Sequence, residues 1–306
     1  MVLALEELTK EFSTGFLRRG RHRAVDGLSL DLARGEVFGL LGPNGAGKST
    51  TLKLITGLLW PTSGRVSVFG RAPHDPHARA ALGFLPEHPT FYDHLTGEEL
   101  LAYFAGVCGL RGPDLTMRVQ KTLDRVGLGD ARTRAVRQYS KGMVQRLGLA
   151  QAIVNDPALV ILDEPMSGLA PIGRREVREL ILELRDAGRT VLFSSHILSD
   201  AEMLCSRVAI LSRGRLVASG TTSDLTSGQT RGWEITAAHL TPAAVAALQP
   251  KTTRAVRITH GRYTFELSAE QRPEPVVAEL AACGATLEAV TPLRATLEDV
   301  FVERVS

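Results

Sequence analysis

The chain has 306 residues, 44% of them apolar and 23% charged, enough for one large domain or two smaller ones with a full hydrophobic core. Its formal net charge is only +3, which implies no strong polyanionic partner, so nucleic acid is not expected as a ligand. Cys108, Cys205 and Cys283 are too few and too far apart for a disulfide framework or a zinc pattern, and they suit a reducing cytosol.

Alternating apolar and polar residues predict strands over Leu3–Leu8 and Leu28–Leu32. Between them Arg18–Arg23 is a local basic cluster, readable as a solvated loop or as a contact for nucleic acid or anionic lipid. Glu36–Leu41 is a short apolar run, read as a buried strand, and Ser49–Ile55 has helical spacing at Thr51, Leu52 and Ile55. Gly64–Gly70 alternates again between two glycines. From about Thr96 to Gly129 the pattern turns helical, over Glu98–Phe104 and Val119–Val126. Ser140 is an N-cap candidate for a helix with apolar residues at Met143, Leu147, Ala150 and Val154, ended by Asn155–Pro157. Ala158–Leu162 is a continuous apolar strand of the buried, parallel type. An amphipathic helix over Arg174–Ala187 and a strand over Thr190–Ser194 follow. Strands alternating with helices predict an α/β fold built on a parallel sheet.

Composition shifts after about Gly220, and the polar stretch Thr221–Thr230 reads as a linker or a short capping segment. Strands are predicted near Trp233–Thr236, Ala255–Ile258, Tyr263–Leu267 and Thr286–Val290, with helices near Ala243–Leu248 and Pro275–Cys283. That β-α-β-β-α-β order predicts a small ferredoxin-like module, followed by a helical segment at Ala295–Arg304. No signal peptide is visible, and no apolar run approaches the ~20 residues that span a bilayer. Any membrane crossing is therefore expected to belong to another chain.

The sharpest motif is Gly42, Pro43, Asn44, Gly45, Ala46, Gly47, Lys48 and Ser49, with Thr50 next. It matches G-x-x-x-x-G-K-[ST], in which glycines let backbone N–H groups converge on a polyphosphate, the lysine charges its outer phosphates and the hydroxyl meets Mg²⁺. The predicted strand before it and helix after it place the loop at a helix N-terminus, whose dipole favours an anion. Leu159–Glu164 is an apolar strand ending in two carboxylates, delivered to the sheet edge where the phosphate loop sits. Asp163 is expected to hold Mg²⁺ through water, and Glu164 to polarise the attacking water.

Gln138–Arg146 lies before that strand and resembles the signature motif of ATP-binding cassette (ABC) ATPases. In place of the family's L-S-G-G-Q this chain has Tyr139, Ser140, Lys141, Gly142 and Met143. Ser140 and Gly142 match; Lys141 and Met143 depart in a manner familiar from the exporter branch with separate membrane subunits. Ser194-Ser195-His196 looks like the switch histidine, which the resemblance places on the γ-phosphate. The resemblance covers about residues 1–220. It implies a P-loop NTPase core with an antiparallel β subdomain and a helical signature subdomain at about 92–155. The nucleotide-binding domain is expected over 1–225 and a small accessory domain over 231–306. Two such domains in this family sandwich two ATP molecules, so Ser140 and Gly142 are expected to serve a site whose Lys48 belongs to a second copy.

The resemblance also puts an adenine-stacking aromatic at Phe12, with Phe16 as runner-up because the Gly15–Arg23 insertion blurs the register; either ring can equally serve packing. Glu87 stands where the family commonly has the Q-loop glutamine, and its carboxylate can still reach Mg²⁺ and couple to a membrane subunit. Ala170 replaces the aspartate of S-G-L-D-P and cannot make that residue's hydrogen bonds across the dimer. Thr296–Val302 resembles the tail of ABC-2 type exporter ATPases, and residues 231–306 are read as helping to dimerise or regulate, or else as a small ligand-binding domain.

These features imply the ATP-hydrolysing subunit of a membrane exporter. Separate transmembrane permease subunits would hold it at the cytoplasmic face of the membrane, and ATP would drive closure of a homodimer. The alternative is a soluble ABC ATPase acting on nucleic acid or ribosomes. The chain lacks the long coiled-coil insertion or the second cassette that such relatives carry. A third reading, a regulator that binds nucleotide without hydrolysing it, is opposed by the presence of both Glu164 and His196.

Overall fold

The computed structural model describes residues 1–14, 20–226 and 230–305. The chain begins β1 (Leu3–Thr14), β2 (Gly20–Leu32), β3 (Val37–Leu41), α1 (Lys48–Ile55), β4 (Ser63–Val68), α2 (Pro76–Ala80) and β5 (Leu82–Leu85). Three helices follow, α3 (Gly97–Val107), α4 (Gly112–Arg125) and α5 (Lys141–Ile153). Strands and helices then alternate as β6 (Leu159–Leu162), α6 (Pro171–Asp186), β7 (Thr190–Ser195) and α7 (Leu198–Leu204), closing with the hairpin β8 (Arg207–Ser212) and β9 (Arg215–Thr221) and the single turn α8 (Thr222–Leu225). One compact unit holds Met1–Thr222 and another Ser223–Glu303.

In the first unit β3, β6 and β7 are buried at every position, as strands must be when both faces of their sheet are covered. They lie in a six-stranded sheet ordered β5-β6-β7-β3-β8-β9. All neighbours are parallel except β8 and β9, which pair antiparallel across the turn at Arg213 and Gly214. The sheet is therefore mixed rather than wholly parallel, because a two-residue turn can only reverse the chain, whereas a parallel neighbour needs a long crossover. Sequence patterning missed α2, β5, α7, β8 and β9. A second, antiparallel sheet is ordered β2-β1-β4. Gly20–Arg23 belongs to β2, so the described part of the basic cluster is strand rather than loop. One core cluster runs through both sheets, from Leu3, Leu28 and Val66 to Phe38, Leu52, Ile161 and Leu192. In the helical segment, Thr96 caps α3 in a reciprocal capping box with Glu99, and Ser140 caps α5.

The second unit carries β10 (Thr230–Ala238), α9 (Pro242–Leu248), β11 (Arg254–Thr259), β12 (Arg262–Ser268), α10 (Pro273–Ala282), β13 (Thr286–Arg294) and most of α11 (Leu297–Val305). Its sheet is antiparallel throughout, ordered β11-β12-β10-β13. Ile235, Ala237, Leu248, Phe265, Leu267 and Leu280 form its own core. The expected polar linker contains α8 and the ends of β9 and β10; residues 227–229 lie outside the described residues.

Candidate active site

Between the end of β3 and the start of α1 the chain turns through residues 42–47. Gly42 has φ 148°, and a Cβ there would stand 2.3 Å from the Leu211 carbonyl oxygen. Gly47 has φ 102°, and its Cβ would meet the Ala24 carbonyl oxygen at 2.4 Å. Both positions require glycine for conformation and for space. Gly47 is also the N-cap of α1 and supplies no side-chain cap, leaving first-turn N–H groups for an anion. The resulting cleft, about 380 Å³, is lined by the loop from Pro43 through Thr50 together with His22, Ala24, Glu87 and Glu164.

Lys48 is 6% exposed. Its Nζ donates to the carbonyls of Gly42 at 2.7 Å and Pro43 at 3.3 Å, and lies 3.2 Å from Glu164 Oε1. The end of β6 delivers Asp163 and Glu164, both buried. Ser49 Oγ donates to Asp163 Oδ1 at 3.1 Å, and Ser194 Oγ donates to the same oxygen at 2.6 Å. Ser194 Oγ in turn accepts the Glu164 N–H at 2.9 Å. Glu164 has φ 49°, a left-handed conformation that costs a non-glycine residue about 1–2 kcal/mol and is held here by that hydrogen bond. Its Oε2 lies 2.8 Å from His196 Nδ1. Among the described residues its Oε1 accepts no hydrogen bond, and the Lys48 charge faces it.

Burial pushes the Asp163 carboxyl above its ordinary value; hydrogen bonds from Ser194 and Ser49 oppose the shift, and the charges of Glu87 and Glu164 add to it. A buried carboxylate with two acidic neighbours and a hydroxyl is an all-oxygen donor set, which suits a hard divalent cation such as Mg²⁺. The opposite wall offers backbone donors and an ammonium, which suit polyphosphate.

Residues 25–167 match the family described as ABC transporter. An uncharacterised ABC transporter ATP-binding protein of Synechocystis sp. is 39% identical over 300 residues, covering 97% of this chain and 83% of that protein. The chain belongs to this family. It is an ABC-type ATPase, and ATP is its nucleotide. The fluoroquinolones export ATP-binding protein of Mycobacterium tuberculosis is 40% identical over 210 residues, 68% of each chain. A solved structure described as the ATP-binding subunit of an ABC transporter is similar with a TM-score of 0.67 at 32% identity, over 74% of this chain and 92% of that one.

The cleft of this ABC ATPase brings together Lys48, Ser49, Thr50, Glu87 and Glu164, with Asp163 and His196 bonded to them. It does not bring Ser140 or Gly142 there. Ser140 Oγ accepts the Met143 N–H at 3.3 Å, and Gly142 faces Leu169, 3.5 Å from where its Cβ would stand. Phe12 is 37% exposed on β1, with Lys10 Nζ 5.2 Å from its ring centroid, and it pairs across the ribbon with His22. Phe16 lies outside the described residues. Ala170 is the N-cap of α6 and contributes no side-chain bond. Sequence reading gave Ser194 no role of its own and took His22 only as a member of the Arg18–Arg23 basic cluster. The signal for Ser194 is a hydroxyl directly after the apolar run Val191–Phe193 of a buried strand; for His22 there is none pointing to this cleft.

Proposed function

We propose that this chain powers a membrane exporter, hydrolysing ATP between two copies of itself and driving separate transmembrane subunits. The observation that carries the reading is the convergence of Lys48, Ser49, Asp163, Glu164 and His196 on one cleft, while Ser140 and Gly142 lie apart from it. A cleft with one half of its expected phosphate ligands calls for a second copy to supply the other half.

Lys48 and the loop N–H groups hold the β- and γ-phosphates, a reaction in which positioning and electrostatics do most of the work. Entry of the phosphate draws the Lys48 ammonium away from Glu164. Ser49, Asp163 and Glu87 are the residues that would hold Mg²⁺. When bound, the cation neutralises charge on the phosphate oxygens. Glu164 Oε1 accepts the hydrogen bond of the attacking water, and His196 fixes the carboxylate through Oε2 while presenting its other edge to the γ-phosphate. Phe12 stacks on the adenine. Ser140 and Gly142, at the N-terminus of α5, bind the γ-phosphate held by the partner copy.

Export is supported by the name of the Mycobacterium tuberculosis relative. Among the described residues no helix is long and apolar enough to cross a membrane, so the crossing falls to permease subunits. A groove of about 540 Å³ beside Glu87, walled by Phe84, His88, Phe91, Phe104 and Val107, is where such a subunit would be felt by the cleft.

The test compares wild type with Glu164→Gln in Mg²⁺-dependent ATPase activity and ATP-dependent dimerisation. The expected result is turnover by wild type only, with the variant binding ATP and accumulating as a dimer. Equal turnover would remove Glu164 from the mechanism. Nucleotide binding without any dimer would remove the two-copy site.

A further inference from the structure

We propose that His22 is a nucleotide-binding residue whose protonated imidazole adds a second cation to the phosphate side of the cleft, opposite the loop that carries Lys48. The inference rests on reading the cleft as the ATP site. His22 and Ala24 both line it. The free edge of β2 is pressed against the phosphate loop at this point, since the Ala24 carbonyl leaves no room for a Cβ at Gly47. His22 is also the cross-strand partner of Phe12, so the two rings project from the same face of the β1-β2 ribbon.

Charges on this ribbon are sorted by face. Glu11, Arg21 and Arg23 belong to the opposite one, where Glu11 pairs with Arg21 at 3.7 Å and with Arg23 at 2.8 Å, and Arg23 also pairs with Asp26. Beside His22, Lys10 stands over the Phe12 ring. Across the cleft the charged groups are Lys48, Glu87 and Glu164, of which Lys48 and Glu164 already face each other at 3.2 Å. A polyphosphate entering this space brings a concentrated negative charge to an exposed imidazole. An imidazolium donates through both nitrogens and makes charge-assisted bonds to phosphate, roughly twice as strong as neutral ones. A bond that needs the charged ring is present at low pH and fades as pH rises.

The experiment uses the full chain with Mg²⁺ and the non-hydrolysable β,γ-imido analogue of ATP, titrated by calorimetry between about pH 6 and about pH 8.5. The analogue's own phosphates ionise in this range, so the readout is the Kd of each variant divided by that of wild type at the same pH. His22→Gln is expected to bind about tenfold more weakly than wild type at about pH 6 and within about twofold at about pH 8.5. His22→Lys, with a fixed charge, is expected to keep tight binding at both. A ratio for His22→Gln that is flat across pH overturns the proposal: uniform loss marks a packing role, and no loss marks a bystander. Lys48→Ala separates the two readings. If it abolishes binding at every pH, the nucleotide site stands whatever His22 does; if it binds as wild type does, the site itself is misplaced.

Discussion

Asp163 is the residue where stability and function pull apart. Its folded-state pKa lies above the unfolded value, chiefly through burial, so the folded protein binds that proton more readily and its ionisation at neutral pH costs stability. Asparagine keeps an oxygen for the Ser49 and Ser194 hydroxyls and carries no charge. Asp163→Asn is therefore expected to melt above wild type at neutral pH without ligands, in thermal unfolding scans. The gap should close as acid protonates the wild-type carboxyl, and Mg²⁺-dependent nucleotide affinity should fall. The two carboxylates were legible in the sequence because an apolar run ending in Asp-Glu marks a strand tip beside a phosphate loop. The third member of their network was not. Ser194 touches Asp163 and the Glu164 backbone only because β6 and β7 are neighbours in the sheet, a fact of pairing that no local pattern encodes.

At the level of elements, continuously apolar or strongly amphipathic segments declared themselves and weakly patterned ones did not. The continuous apolar runs of β3 and β6 and the amphipathic stripe of α6 follow from periods that survive in any context. β5 has four residues, one of them a glycine, which lowers strand propensity. The glycine is there because a Cβ at Gly83 would stand 1.8 Å from the Ala152 carbonyl oxygen: α5 crosses β5 backbone to backbone. A glycine inside a strand is thus itself the trace of a close approach. Gly83→Ala is expected to destabilise the protein by about 2 kcal/mol or more, in the range of core overpacking, seen as a lower denaturant midpoint. Because β5 leads directly to Glu87, nucleotide affinity should weaken with it. The β8-β9 hairpin did leave a sign, an apolar run from Val208 to Leu211 followed by a glycine at Gly214, which takes φ 81° in the turn.

For the whole molecule, the core beneath the cleft draws, among the described residues, on residues between Val2 and Leu211, and the second unit has an interior of its own. A chain ending at Thr222 is therefore expected to unfold in one cooperative transition and to bind the imido analogue of ATP with wild-type affinity. A non-cooperative melt would assign part of the first core to the second unit. The order of strands also says when this machine comes into being during synthesis. The strand that launches the phosphate loop is made early, yet its two sheet neighbours are β7 and β8. The loop itself is braced by the Ser195 and Leu211 carbonyls. A ribosome-bound chain holds the whole glycine-rich motif long before it holds anything to seat it on. Nucleotide capture by a nascent chain should begin only once residues to about Gly214, whose N–H bonds the loop at Ala46, have left the exit tunnel, so that ATP binding doubles as a report that the strands seating the loop are in place.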